Sequence, residues 1–124
     1  MNSYVFVFLG SGLGGVLRYG VNVFVPRLLG PSFPYHTLTV NIVGSFAMGL
    51  LAGYFAIKAD PGQSWRLFLA TGIIGGFTTF SSFSLDVVVL YERGAIAMTA
   101  IYVLASVSVS VAALFAGMFL MRAL

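Results

Sequence analysis

The chain reads GGFTTFSSFS over residues 75–84, within an apolar run that covers residues 65–90. Paired glycines lower helical propensity through backbone entropy, and the hydroxyls of consecutive threonines compete with the helix for backbone groups. The stretch therefore predicts a break in an otherwise continuous membrane-spanning helix. Inside hydrocarbon, irregular backbone persists only where protein buries it or where it lines a wet cavity. A broken helix at that depth indicates a binding site for an ion or a small substrate.

The composition is that of an integral membrane protein. Hydrophobic residues make up 60% of the 124-residue chain and only 7% are charged, against roughly 25% in soluble domains. Because about 20 apolar residues cross a bilayer, we predict a single all-α transmembrane domain over residues 1–124, with spans at 4–25, 37–57, 65–90 and 95–121. The first run is too long to suggest a cleaved signal peptide. The chain has no cysteine, which excludes disulfide and thiolate chemistry.

The positive charges show no bias in orientation. If the N-terminus is cytoplasmic, each side carries three of them: Lys58, Arg66 and Arg122 on one side, and Arg18, Arg27 and Arg93 on the other. Orientation normally follows an excess of lysine and arginine on the cytoplasmic side, so either a feature outside this count fixes the topology or the chain inserts both ways. Four helices are also few to enclose a polar pathway. We therefore expect an antiparallel, dual-topology homodimer.

Four hydroxyl side chains form a stripe on the fourth span. Thr99, Tyr102, Ser106 and Ser110 are spaced by three, four and four residues, so they fall on one face of a helix. Each hydroxyl could instead bond to a carbonyl one turn back in its own helix. Four in register favour a polar track through the membrane, because polar groups within a span need a partner or water.

Two further polar side chains lie within the spans. Asn41, one turn after Thr37, could clamp two helices together or donate an amide N–H to an anion. Arg18 could extend to the membrane surface or supply positive potential at a pore mouth, and the former is the default for a long cationic side chain.

The phenylalanines of the third span recur every three residues. Phe77, Phe80 and Phe83 alternate with serines. They form either an apolar packing face or a row of ring edges. Because a ring edge carries partial positive charge, such edges can contact an anion.

Small residues recur at four-residue spacing in three spans, which predicts close helix packing: Ser45, Gly49 and Gly53; Gly72 and Gly76; Gly10 and Gly14. The string GSGLGG over residues 10–15 has the spacing of a dinucleotide-binding loop. That loop needs a strand before it and an acidic residue about 20 positions later, whereas the first acid here is Asp60. We therefore expect no nucleotide site.

These motifs resemble the Fluc (CrcB) family of fluoride channels. The resemblance rests on TLTVNIVGS over residues 37–45, on GGFTTFSSFS over residues 75–84 and on the stripe of Tyr102, Ser106 and Ser110, and it spans nearly the whole chain. It implies a passive, fluoride-selective channel in the inner (plasma) membrane, not an enzyme. It also implies an antiparallel homodimer in the lipid bilayer, with two pores that are each built from both subunits and with no nucleic-acid partner.

The resemblance also implies roles for individual residues. Phe80 and Phe83 would contact fluoride through their ring edges, with Asn41 as the pore asparagine. Tyr102, Ser106 and Ser110 would form the polar track, and Ser81, Ser82 and Thr37 would be further donors; the pore-mouth interpretation adds Arg18 to this candidate pathway.

A structural sodium ion is also implied. The backbone carbonyls of Gly75 and Thr78 from both subunits would hold it, buried at the crossing point of the two broken helices.

Two residues near the predicted pathway differ from what the resemblance to an anion channel would suggest. Ser82 stands where many relatives have threonine but keeps the hydroxyl, and Asp86 is an acid beside the pathway that would face the aqueous vestibule.

The main alternative is a small dual-topology, proton-coupled multidrug exporter. Such exporters depend on a glutamate in the first span, whereas the acids of this chain are Asp60, Asp86 and Glu92. An intramembrane hydrolase is disfavoured because His36, the one histidine, has no acidic neighbour in the sequence to orient it. Dense hydroxyl donors instead suit fluoride, a small ion that binds water strongly.

Overall fold

The computed structural model describes residues 2–57 and 62–124. Four helical stretches in these ranges are long and apolar enough to cross a membrane. They are α1 (Ser3–Leu29), α2 (Tyr35–Ile57), a composite third span (Gln63–Glu92) and α6 (Ile96–Ala123). The prediction of an all-helical, multi-pass membrane protein is confirmed. The connection expected around Lys58 and Asp60 lies outside the described residues.

The first helix extends beyond the predicted span. The prediction that Pro26 lies in a connection is wrong, because α1 continues through Pro26 to Leu29. A proline inside a helix removes the hydrogen bond to the carbonyl four residues before it and its ring crowds that carbonyl, and α1 ends within one turn of Pro26. The helix ends at Gly30, which has a φ of 86° and donates its N–H to the Pro26 carbonyl at 2.9 Å.

The third span is built from four short segments. It begins with α3 (Gln63–Arg66), continues as a π-helix (Leu67–Ile74) and α4 (Gly75–Phe77), and resumes after a break as α5 (Ser81–Glu92). A break was expected from the sequence, and the span is broken. The break lies within the predicted stretch, because the chain leaves the helix at Thr78, whose φ of −85° and ψ of 161° are extended.

Gly76, just before the break, remains helical and lets α1 approach closely. A Cβ on Gly76 would lie 2.5 Å from the backbone oxygen of Ser11 in α1, whereas a Cβ on Gly75 would meet no other span among the described residues. The lack of a side chain on Gly76 therefore serves helix packing, while the threonines that follow open the helix.

The helices pack as two pairs, α2 against α6 and α1 against the π-helix and α4. Each contact uses small residues. A Cβ on Gly49 of α2 would overlap the Leu114 carbonyl of α6, and a Cβ on Gly14 of α1 would overlap the Ile73 carbonyl. The prediction that small residues at four-residue spacing mark packing faces is confirmed. The GSGLGG string over residues 10–15 lies wholly within α1.

Few side chains are buried within one copy of the chain. Those below 2% exposure are Tyr102, Leu90, Val40 and Thr37, and they cluster where α2, α5 and α6 meet. Most of the remaining apolar surface therefore faces outward, as expected for helices that contact lipid or another membrane-embedded chain. This small core is the part of the fold that positions the candidate site.

Candidate functional site

The break in the third span borders a cavity of about 330 Å³ between α2, α5 and α6. Its lining combines polar and aromatic side chains: Asn41, Gly44, Ser45, Met48, Ile74, Thr78, Thr79, Phe80, Phe83, Ser106, Val107, Ser110 and Leu114. Residues predicted from three separate spans thus meet at one place. These are Asn41 of α2, the two phenylalanines Phe80 and Phe83, and two serines of the α6 stripe.

Asn41 holds the break through two hydrogen bonds to one residue. Its Nδ2 donates to the Thr79 carbonyl at 3.0 Å, and its Oδ1 accepts the Thr79 N–H at 2.9 Å. Both backbone groups of Thr79 would otherwise lack a partner at membrane depth, where an unmade bond is costly. The Nδ2 group carries a second N–H, which these two bonds leave for another acceptor. The clamp and donor interpretations of Asn41 are therefore compatible.

The threonines terminate the two helices on either side of the break. Thr78 Oγ1 donates to the Ile74 carbonyl at 3.0 Å and so closes the end of α4. Thr79 Oγ1 accepts the Ser82 N–H at 3.1 Å, a capping bond for the first turn of α5, whose N-cap position is Phe80. This cap is a functional feature that the sequence predictions missed. The sequence did contain an indication of it, because a threonine just before a helix often accepts a hydrogen bond from a backbone N–H of the first turn.

Arg18 also supports the break rather than reaching the membrane surface. Its Nε donates to the Gly76 carbonyl at 3.1 Å. Arg18 lies 11 residues before the end of α1 at Leu29, about 16 Å along the helix axis. The default expectation that this side chain snorkels is therefore wrong. Arg18 does not line the cavity. Within one copy its hydrogen bond is to the backbone of Gly76, next to the break.

Three carbonyls at the break accept no hydrogen bond from the described residues. Those of Ile74, Gly76 and Thr79 accept the bonds described above. The carbonyls of Gly75, Phe77 and Thr78 accept none from any described residue. Gly75 is also exposed in a single copy of the chain. An unpaired carbonyl at this depth needs a ligand or a second chain.

Two serines of the α6 stripe are buried without a partner. Ser106 Oγ and Ser110 Oγ are both inaccessible to solvent, and neither makes a hydrogen bond to any residue that the structure describes. Thr99 behaves differently, because its hydroxyl donates to the Ala95 carbonyl one turn back at 2.7 Å. Thr99 therefore makes the hydrogen bond to a carbonyl one turn back, but Ser106 and Ser110 do not. Both serines line the cavity, so a change of rotamer would turn either unpaired hydroxyl toward a ligand there.

Aromatic rings lead from the cavity toward one end of the bundle. The ring centroids of Phe80 and Phe83 lie 5.5 Å apart, and those of Phe83 and Tyr102 lie 5.2 Å apart. Phe33, from the connection before α2, meets Tyr102 edge-on at 5.5 Å. Phe80 is 79% exposed in one copy. The row therefore runs from an open surface at Phe80, through the buried Tyr102, to the half-buried Phe33.

Tyr102 links this row to the acid whose role the sequence left unexplained. It is fully buried, and its hydroxyl donates to Asp86 Oδ2 at 2.9 Å. The carboxylate is thus paired rather than bare beside the cavity. Thr37, also buried, neighbours the Tyr102 hydroxyl. Within one copy, Tyr102 and Thr37 lie beyond Phe83 and not on the cavity wall.

The remaining predicted donors lie on the first turn of α5. Ser81 is exposed, and its Oγ is 3.4 Å from Thr79 Oγ1. Ser82 is half-buried and contributes its backbone N–H to the capping bond with Thr79 Oγ1. Neither side chain lines the cavity. One copy of the chain therefore gathers Asn41, Phe80, Phe83, Ser106 and Ser110, and leaves the other candidates at its edges.

Comparisons with known proteins show the family of the chain. The family described as CrcB-like protein, Camphor Resistance (CrcB), matches residues 5–118. The chain is 56% identical over 122 residues to the fluoride-specific ion channel FluC of Rhodopseudomonas palustris (strain BisB5), which covers 98% of each chain. It is 59% identical over 106 residues to the fluoride-specific ion channel FluC of Methylobacterium sp. (strain 4-46), which covers 86% of this chain and 85% of that one. It is 54% identical over 122 residues to the fluoride-specific ion channel FluC of Agrobacterium fabrum (strain C58 / ATCC 33970), with 98% of each covered. The chain therefore belongs to the CrcB family.

Proposed function

We propose that the chain forms a fluoride-selective channel that lets cytoplasmic fluoride leave the cell passively through the inner (plasma) membrane. One observation carries the proposal: Ser106 and Ser110 present buried, unpartnered hydroxyls to the cavity that the broken helix borders. A buried polar group without a partner is rare and calls for a ligand. The relatives named as fluoride-specific ion channels support fluoride as that ligand.

The chemistry of the cavity suits a small, strongly hydrated anion. Removing water from fluoride requires short contacts to several donors at once. The two serine hydroxyls and the second N–H of Asn41 are such donors, and the edges of Phe80 and Phe83 add weaker positive contacts. Several weak sites in sequence favour conduction over trapping. The net charge of +3 per chain also favours anions near the mouth.

No energy source is needed for export. Fluoride enters cells as neutral hydrofluoric acid and is trapped as the anion at the higher internal pH. A negative-inside potential then drives the anion outward through a passive pore, at about 2.3 kcal/mol per 100 mV. The proton-coupled exporter is disfavoured, since α1 contains no acidic residue that could carry the proton. The proposal also means that the chain is not an enzyme.

We further propose an antiparallel homodimer with two pores. The even distribution of positive charge supports dual topology. The high exposure of Phe80 and of Gly75 in one copy supports a second chain that completes the pathway at these residues. The chain has no cysteine, so a single cysteine placed at either terminus can be labelled on intact cells with a reagent that does not cross the membrane. Four spans put both termini of one copy on the same side of the membrane. In a dual-topology protein about half of the copies should be labelled from outside and the rest only after permeabilisation, whereas labelling of all copies or of none would contradict the proposal.

The unpaired carbonyls of Gly75 and Thr78 fit a structural sodium ion. Carbonyl oxygens are suitable ligands for a monovalent cation, and two copies would supply four of them. The ion would fix the crossing point of two broken helices by neutralising carbonyl dipoles. Thermal unfolding of the purified protein in sodium, compared with N-methylglucamine, tests this idea. A lower melting temperature without sodium is expected, and equal temperatures would contradict it.

Fluoride efflux from liposomes tests the channel itself. Vesicles that contain the purified protein, loaded with potassium fluoride and made permeable to potassium, should release fluoride rapidly. Vesicles loaded with potassium chloride are the control and should retain chloride. Equal release of both halides would show that the channel does not select fluoride over chloride. No release of fluoride above protein-free vesicles would refute the channel.

A further inference from the structure

Three cavities follow one another along α2. The first, of about 80 Å³, includes His36 at the start of the helix. The second is the candidate site, which spans Asn41 to Met48, and the third, of about 340 Å³, spans Met48 to Phe55. From His36 to Phe55 is 19 residues, about 28 Å of helix. This matches the roughly 30 Å thickness of a bilayer core.

Among the residues that the structure describes, Met48 alone lines both larger cavities. Its half-buried side chain therefore separates the candidate site from the third cavity. A methionine is apolar, unbranched and flexible, so it can narrow a passage and also move aside. Hydrophobic constrictions of this kind control ion passage by excluding water.

The outer cavities each carry an arginine. Arg93 lines the first, and its Nη1 is tied to the Ser32 carbonyl at 3.1 Å. Arg66 lines the third, with its guanidinium carbon 5.9 Å from the centroid of the Phe55 ring. Arg66 is the fourth residue of the third span, so it lies near one end of that span. Positive charge at the ends of a low-dielectric passage raises the local concentration of anions.

We propose that Met48 is the hydrophobic constriction of the anion pathway, and that the third cavity, with Arg66 at its outer end, is the mouth beyond it. This rests on the proposed channel function and adds a route to it. An anion would pass from the serines of α6, past the Met48 side chain, and out between α2 and the π-helix. The first cavity, with Arg93, lies at the opposite end of the same helix.

Current measurements in planar bilayers test the constriction. Met48→Ala removes the three outer side-chain atoms and should raise fluoride conductance about fivefold, the factor that a barrier lower by about 1 kcal/mol produces. Met48→Phe should lower conductance by a similar factor. Met118→Ala is the matched control, since Met118 is a half-buried methionine in the α2–α6 contact that lines neither cavity. Its conductance should equal that of the wild type.

A second measurement uses the absence of native cysteine. Silver ions, which stay soluble with fluoride, should block Met48→Cys channels and leave Met118→Cys channels unaffected. The inference is overturned if the Met48 variants conduct like the wild type, or if silver does not affect Met48→Cys channels. A wild-type protein that carries no fluoride current would instead refute the proposed function, so the two failures are distinguishable.

Discussion

Replacing Asn41 with alanine gives the sharpest test of how the break is held. The side chain makes two hydrogen bonds to the backbone of Thr79, 38 residues away. Asn41→Ala removes both bonds and leaves an N–H and a C=O without partners beside the cavity. Side-chain hydrogen bonds between membrane helices average about 0.6 kcal/mol, and reach about 1–2 kcal/mol in model peptides. Two of them therefore predict a loss of about 1–4 kcal/mol in the free energy of unfolding.

The same change should slow fluoride flux. Thr79 caps α5 and adjoins Phe80, so a displaced Thr79 would disturb both the helix start and the ring. If the barrier rises by the lower end of that free energy, about 1 kcal/mol, flux falls about fivefold. Asn41→Asp should behave similarly, because it keeps an acceptor for the Thr79 N–H but sets a carboxylate oxygen against the Thr79 carbonyl.

Denaturant unfolding in detergent and fluoride efflux from liposomes measure the two effects together. Asn22→Ala is the control, since Asn22 is an exposed asparagine of α1. Wild-type stability in Asn41→Ala would show that the amide does not clamp the break. Reduced flux with unchanged stability would assign Asn41 to the ion alone, and the reasoning from Thr79 would fail.

Three further changes separate ion contact from packing. Phe83→Ile should slow fluoride efflux at least about tenfold, because a ring edge with positive character is lost, while size-exclusion chromatography shows the same oligomer. Ser106→Ala combined with Ser110→Ala should also slow efflux, yet chemical unfolding should show stability within about 1 kcal/mol of the wild type, since neither hydroxyl has a partner to lose. Gly49→Ala should destabilise the protein in thermal unfolding by about 1–3 kcal/mol, because the new Cβ would overlap the Leu114 carbonyl.

Each of these changes has a control elsewhere in the chain. Phe119→Ile alters a ring that is 67% exposed on α6, Ser108→Ala removes an exposed hydroxyl, and Gly12→Ala adds a Cβ into open space. All three should leave flux and stability unchanged. Wild-type flux in Phe83→Ile would show that the Phe83 ring serves packing and not ion contact. A large loss of stability in the double serine variant would mean that the hydroxyls have structural partners, and a stable Gly49→Ala variant would contradict the α2–α6 contact.

Composition and local pattern were sufficient to predict the spans. Runs of about 20 apolar residues between polar connections leave few other arrangements, and the observed α2 (Tyr35–Ile57) and α6 (Ile96–Ala123) differ from prediction by at most two residues at each end. The presence of a break followed from adjacent glycines and threonines. The serine stripe followed from helical periodicity, which brings residues four apart onto one face.

Long-range contacts account for what local pattern did not predict. The break begins at Thr78 rather than Gly75 because Gly76 packs against α1 and because Asn41 accepts the freed N–H of Thr79. Arg18 turns inward because a carbonyl 58 residues away is available to it. Tyr102 pairs with Asp86 across two helices. No spacing within the sequence encodes such partners.

The π-helix at Leu67–Ile74 places loosely wound helix in the third span just before its break, and this segment can change its number of residues. Such a segment winds more loosely than an α-helix and generally holds an additional residue. Deleting one residue there could be absorbed by tighter winding, so that Thr79 would still meet Asn41. A deletion within α5, which contains only regular turns, cannot be absorbed in this way. It would rotate all following residues of that helix about the helix axis. Length variation among related chains should therefore be tolerated ahead of the break and not after it.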